Sequence, residues 1–137
     1  MYVTPSPGRG LAAWGYPPNV WWGANVGRCV PQRRVGARYE HALDELKTVH
    51  LFVEFATRRD DVIDYALVLV AELDGRIETI RIYDAAHGVN ELHRYTKELG
   101  KQPGVVFHRG TLGEGMRTAI EAIKHGHEEM IEAWRRG

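Results

Sequence analysis

Residues 62–84, VIDYALVLVAELDGRIETIRIYD, decide the fold. The first half, 62–73, is apolar and β-branched, the composition of a buried strand. It ends at Asp74-Gly75, a pair that tolerates positive φ at both central positions of a two-residue hairpin turn. The second half, 76–84, returns as another strand. Immediately upstream, 48–57 alternates, with Val49, Leu51, Val53 and Phe55 on one side and His50, Phe52, Glu54 and Ala56 on the other. That period of two is a strand pattern. Arg58-Arg59-Asp60-Asp61 between the two is polar and fits a turn. These residues give three strands in an antiparallel meander, with Glu54 and Asp64 assigned to solvent-facing positions.

Further along, Thr111 and Glu114 form a T-x-x-E capping box, in which each side chain satisfies the other residue's free backbone donor. Leu112, Met116, Ile120, Ile123, His127, Met130 and Trp134 then fall on one helical face. Gly126 weakens this helix by about 1 kcal/mol relative to Ala, which leaves one long helix, a bend there or two shorter helices open. Its apolar stripe needs a partner, and the simplest is one face of the sheet. A homodimer through the C-terminal helix is the other outlet. The fold class expected is α+β: an antiparallel three- to four-stranded meander packed against a long C-terminal helix. Two segments are less determined. Residues 40–47 (EHALDELK) read as one or two helical turns. Residues 90–99 (NELHRYTKEL) read either as a helix capped by Asn90 or as a fourth strand.

Charge divides the chain. No acid precedes Glu40, and the five arginines before it give that segment +5, leaving 13 bases against 18 acids after it, or −5. The same segment holds five of the six prolines and three of the four tryptophans, and proline breaks helices and blocks central strands. Residues 1–39 therefore read as an irregular, basic Pro/Gly/Trp-rich arm, and 40–137 as a single α+β domain. Trp14, Trp21, Trp22 and the arginines suit either stacking on nucleic acid or packing against protein. The longest apolar run, from Tyr65 to Ala71, is far short of a bilayer span. No signal-peptide pattern opens the chain, and the lone Cys29 has no intrachain disulfide partner. A cytoplasmic protein without membrane contact is the expectation.

All seven histidines come after the arm, so imidazole chemistry belongs to the domain. Asp84, His87 and His93 fall within ten residues, with Tyr83 and Arg94 flanking them and His108 and Arg109 preceding the helix cap. Metal-independent RNA cleavage needs a base for the 2′-hydroxyl, an acid for the leaving oxygen and a cation for the phosphorane. His87 and His93 are the acid–base candidates, because imidazole titrates near neutrality, and Asp84 is placed to orient one of them. Tyr83, Arg94, His108 and Arg109 are the substrate-binding candidates. Asp84, His87 and His93 also have the ligand types of a facial metal triad, but no metal or other cofactor is assigned. Gly110 to Gly115 lacks the Lys-Ser/Thr ending of a phosphate loop and reads as a flexible helix start. His125 and His127 are two apart and cannot pair as i,i+4 ligands.

The run Arg81-Ile82-Tyr83-Asp84-Ala85-Ala86-His87-Gly88, and after it Leu92-His93-Arg94-Tyr95, resembles a pattern in uncharacterised small prokaryotic proteins. Their hallmark is a strand ending in Tyr-Asp-Asn, a turn with His-Gly and a strand with His-Arg-His, similar to that of TumE-like toxins of toxin–antitoxin modules. Ala85 stands where that pattern has Asn, and Tyr95 where it has its second His. The resemblance implies a meander and then a helix, and favours a strand at 92–96. It points to a toxin-like protein acting on RNA, a ribonuclease with RNA and a cognate protein as partners. The competing expectation is a non-enzymatic binding module of antitoxin, immunity or adaptor type.

Overall fold

The structure is a computed structural model that describes residues 35–137. The tryptophans of the arm and Cys29 lie outside the described residues. In chain order the elements are β1 (Val35–Ala42), β2 (Val49–Arg58), β3 (Asp61–Leu73), β4 (Arg76–Asp84), β5 (Asn90–Thr96), β6 (Gly100–Lys101), β7 (Val105–His108) and α1 (Leu112–Arg136). The class is α+β, with one antiparallel sheet and one C-terminal helix. The sheet is larger than the three or four strands expected. It runs β1-β2-β3-β4-β5, and the short strands β6 and β7 divide the outer edge of β5 between them.

The central hairpin forms as its residues dictate. Asp74 and Gly75 take φ of 54° and 77°, the left-handed pair that matches strand twist. The β2–β3 turn uses Arg59 and Asp60 at φ of 51° and 68°, without glycine. Strand β4 carries an irregularity that sorts its side chains between the two faces. The register shifts so that Thr79 opposes Val70 and Arg81 opposes Leu69, leaving Ile80 as the extra residue. The bulge re-aims the strand. Ile80 enters the core under the helix, while Ile82 joins Phe52, Ala66, Val68 and Val70 on the opposite face.

The main core lies between the sheet and α1. Leu51, Val53, Leu67 and Leu69 from the strands meet Met116, Ala119, Ile123, Met130, Ile131 and Trp134 from the helix. The apolar stripe is thus spent on the chain's own sheet. The helix runs without interruption through Gly126. Its capping box is present, with Thr111 Oγ1 accepting from Glu114 N–H at 3.1 Å and Glu114 Oε1 accepting from Thr111 N–H at 3.0 Å. His127 borders the stripe, with Nδ1 3.2 Å from the Ile123 carbonyl. Among the described residues no helix is long and apolar enough to cross a membrane.

Two expectations are corrected and one open alternative is resolved. The helical turns at 40–47 are absent: Glu40 and His41 are strand residues opposite Phe52 and Leu51. The Asp44 carboxylate accepts from Thr48 N–H at 2.8 Å, Val49 N–H at 3.0 Å and the Thr48 hydroxyl. Local side-chain bonds of this kind outcompete a short helix. Of the two readings of 90–99 the strand holds, as β5 followed by a tight turn, so Asn90 caps no helix. Asp64 is buried rather than solvent-facing, and Glu54 pairs with Arg38 at 3.4 Å. In addition, β1 takes in residues 35–39, so the sheet begins inside the segment read as the arm.

Ile123 is fully buried at the helix–sheet contact. Ile123→Ala is expected to cost about 2–5 kcal/mol, read as a lowered urea midpoint at unchanged slope. Partial burial raises the Asp44 carboxyl pKa, but its hydrogen bonds outweigh that and leave it below the usual Asp value. The stability it adds is therefore complete above the unfolded value of about 4 and lost as pH falls through the folded one. Asp44→Ala should lose about 1 kcal/mol at neutral pH, as loss of a cap does. Wild type and variant should converge in acid, as urea titrations across pH will show.

Candidate functional site

The site is built where β4 ends and β5 begins. Asp84 closes β4, and its Oδ1 accepts from Ala86 N–H at 3.0 Å, an Asx-type bond that turns the chain. Gly88 completes the turn at φ 78°, donating to the Ala85 carbonyl at 2.9 Å. The returning strand sets Glu91 directly opposite Asp84 and His93 opposite Ile82. Strand alternation puts Asp84, Glu91 and His93 on the sheet face away from the helix.

What fixes β5 in this register is Asn90, one residue earlier and pointing the other way. It is buried to 1% exposure. Its amide donates to the carbonyls of His108 at 3.2 Å, Gly110 at 3.4 Å and Thr111 at 3.2 Å. Its Oδ1 accepts from the Tyr65 hydroxyl at 2.6 Å. Burial, and then the negative charge of Asp84, hold that hydroxyl protonated far above the ordinary range, so it remains a donor. Gly115 makes room for this hub. A Cβ there would lie 1.9 Å from Asn90 Oδ1. The glycine-rich helix start is thus a close approach between the first turn of α1 and a buried amide.

On the site face, one ligating atom from each of Asp84, Glu91 and His93 lies within 4.8 Å of the others. His93 Nδ1 is 3.2 Å from the Gln102 carbonyl, and its Nε2 is 4.0 Å from Asp84 Oδ2. The carbonyl can only accept, so Nδ1 carries a proton and donates it. In the neutral ring Nε2 then presents a lone pair to the carboxylates. Gly104 closes over this edge, where a Cβ would come within 2.8 Å of His93 Cε1 and 3.0 Å of Nε2. His87 stands at the rim, with a 74% exposed side chain and its Nδ1 2.7 Å from Glu91 Oε1. Glu91 thereby links the two imidazoles.

The arrangement carries a cost. Carboxylates directly opposite on neighbouring strands repel. A sequence that breaks a local rule at one place marks that place as a functional candidate.

Of the residues singled out from sequence, Asp84 and His93 come together and His87 joins them through Glu91. The others lie elsewhere. Tyr83 is buried in the core beneath the helix, edge-on to Phe107 at 5.0 Å. Arg94 is opposite Arg81, and alternation along β5 points it to the face away from His93. His108 is engaged at the helix start, with Nε2 3.6 Å from Glu114 Oε1, and Arg109 beside it is exposed. Glu91, Gln102 and Gly104 are not among the candidates that the sequence offers. The available signal is the alternation Glu91-His93 once 90–96 is read as a strand. Comparison of the chain with protein-family models, curated proteins and solved structures found no match.

Asn90→Ala removes one hydrogen-bond partner from the buried Tyr65 hydroxyl and from three part-buried carbonyls, and is expected to cost about 1–3 kcal/mol. Gly115→Ala should also destabilise, despite the helix propensity of alanine. The double variant should lose less than the sum, because truncating Asn90 frees the space that the new methyl needs. Urea unfolding of the four-protein cycle measures the coupling.

Proposed function

We propose that the protein acts on RNA by histidine acid–base chemistry at the Asp84–Glu91–His93 cluster, with His87 at its rim, in the manner of a toxin-like ribonuclease. The observation that carries this reading is one imidazole and two carboxylates on one sheet face with a second imidazole in the adjoining turn, each imidazole paired with an acid. His87 is the group that reaches substrate. With Nδ1 held by Glu91, its Nε2 is open to take a proton from a 2′-hydroxyl. Deprotonation of that hydroxyl lets its oxygen attack the adjacent phosphorus, and a proton returned to the departing 5′-oxygen completes the transfer. His93, oriented by Gln102 and Asp84, is the second imidazole of the pair. The arginines expected to clamp phosphate, Arg94 and Arg109, lie outside this face, so the phosphate needs another positive partner.

A second reading has its own support. Val105 and Val106 on the short outer strand β7 are exposed, and an apolar edge strand suits docking of a protein partner.

Induced expression separates the two readings. The RNA reading expects growth arrest with the wild type, relief by His87→Ala/His93→Ala at matched soluble level, and RNA cleavage lowered about 10²–10⁴-fold in each single variant. Equal growth with both proteins and no cleavage of RNA would move the function to the binding module.

A further inference from the structure

We infer that Asp84, Glu91 and His93 form a binding site for a divalent first-row transition cation. The inference rests in part on the RNA reading and deepens it, because a cation here is what would let a phosphate approach two carboxylates. Three independent features support the site. The first is donor chemistry: two carboxylates and one imidazole, on one face and within 4.8 Å of one another, are the two-oxygen, one-nitrogen set that borderline divalent ions take.

The second is the orientation of His93. Metal-ligating histidines hold their other ring nitrogen on a carbonyl or carboxylate, which fixes the tautomer and aims the free lone pair. His93 does this through Gln102, itself anchored by donating its backbone N–H to the Arg94 carbonyl at 2.7 Å. The third is the state of Asp84. Its side chain is nine-tenths buried, and Oδ1 is spent on Ala86. Oδ2 faces the cluster with His93 Nε2 at 4.0 Å, beyond hydrogen-bond reach. At that separation one cation can bond both atoms, since metal–nitrogen and metal–carboxylate distances are each about 2.0–2.2 Å.

Charge points the same way. Residues 40–137 hold 13 bases and 18 acids, and the candidate arginines lie away from this face. A phosphate reaching the cluster meets two negative groups unless a cation stands between them. With the ion bound, Nε2 of His93 is a ligand and gives up the proton-transfer role it has in the metal-free reading; the cation takes the phosphate oxygen, His87 takes the 2′-hydroxyl proton, and water protonates the departing 5′-oxygen.

Co²⁺ is a suitable probe, because its visible absorption reports bound nitrogen and oxygen ligands. The full chain, stripped with chelator, is titrated with Co²⁺ and monitored by absorption and calorimetry. One equivalent is expected to bind, with affinity lowered at least about tenfold in Glu91→Gln and in His93→Ala. Gly104→Ala should weaken binding in the same direction without removing a ligand, because its methyl meets the His93 ring. His125→Ala, on the exposed face of α1, should leave binding unchanged. A urea midpoint for each variant shows that it is folded, and Gly104→Ala decides the matter if the ligand variants are not. No binding at about millimolar Co²⁺, or binding that folded ligand variants leave intact, overturns the site. Co²⁺ bound as expected by a chain that neither cleaves RNA nor arrests growth leaves the site standing and removes the RNA reading. Cleavage undiminished in EDTA, by a chain that binds no Co²⁺, does the reverse.

Discussion

The buried amide of Asn90 is the constraint on which the structure turns. A side chain at 1% exposure with four partners on three different segments admits one arrangement of those segments. It fastens the start of β5 to the end of β7, to the start of α1 and to β3 through Tyr65. The Tyr65 hydroxyl and the Asn90 amide itself are buried, so losing their bond leaves an unsatisfied group in a low-dielectric interior, while the three carbonyls are part-buried. The requirement reaches into the helix, where glycine is needed at position 115 although alanine has the better helix propensity. One strand position further on, the same backbone aims Glu91 at Asp84. The hub on one face and the charged cluster on the other are thus consecutive residues of one strand, and the stability of the first holds together the second.

The cluster accepts a like-charge penalty that, among the described residues, the sheet repeats at Arg81 opposite Arg94 on its other face. Elsewhere on the same face, charges are placed in complementary pairs: Arg38 opposite Glu54, and Glu40 against His50 Nδ1 at 2.9 Å. Among the described residues, two acids face each other across the ladder only at the β4–β5 end. The bulge at Ile80 contributes directly. With regular alternation, Ile80, Ile82 and Asp84 would share a face; the extra residue sends Ile80 under the helix and leaves Asp84 on the far side with His93.

Much of the architecture can be read from residues alone where a local rule and a long-range need agree. The hairpin at Asp74-Gly75, the capping box at Thr111 and the helix stripe are of this kind. Strand β1 does alternate, with Val35, Ala37 and Tyr39 on one side and Gly36, Arg38 and Glu40 on the other, but the pattern straddles residue 39, where the sequence reading ends the basic arm, and pairing with β2 is what reveals it. Strands β6 and β7 are too short to show a period. Asn90 looks like a helix cap, a polar residue before an acid, and only the burial of its surroundings makes it a core residue. That resemblance to a cap also hides Glu91, since the helix alternative gives 91 and 93 different faces whereas a strand gives them the same one. Asp84 and His93 are legible because a strand end and the turn after it are visible in the sequence. The substrate-side roles of Tyr83 and Arg94 are not, because adjacent strand residues point to opposite faces.

Helix α1 is attached to β5 at both ends. Gly115 abuts Asn90 at the start of the strand, and the Trp134 carbonyl accepts from Lys97 N–H at 3.0 Å just past its end. Between those points the helix rises about 28 Å and the strand about 23 Å. The two therefore gauge each other like the jaws of a caliper. Adding or deleting one helical turn would change the span by about 5.4 Å, more than either clasp can absorb. The chain can drift in length at its outer strands and turns, but the distance from Gly115 to Trp134 is metrically tied to the strand that presents Glu91 and His93.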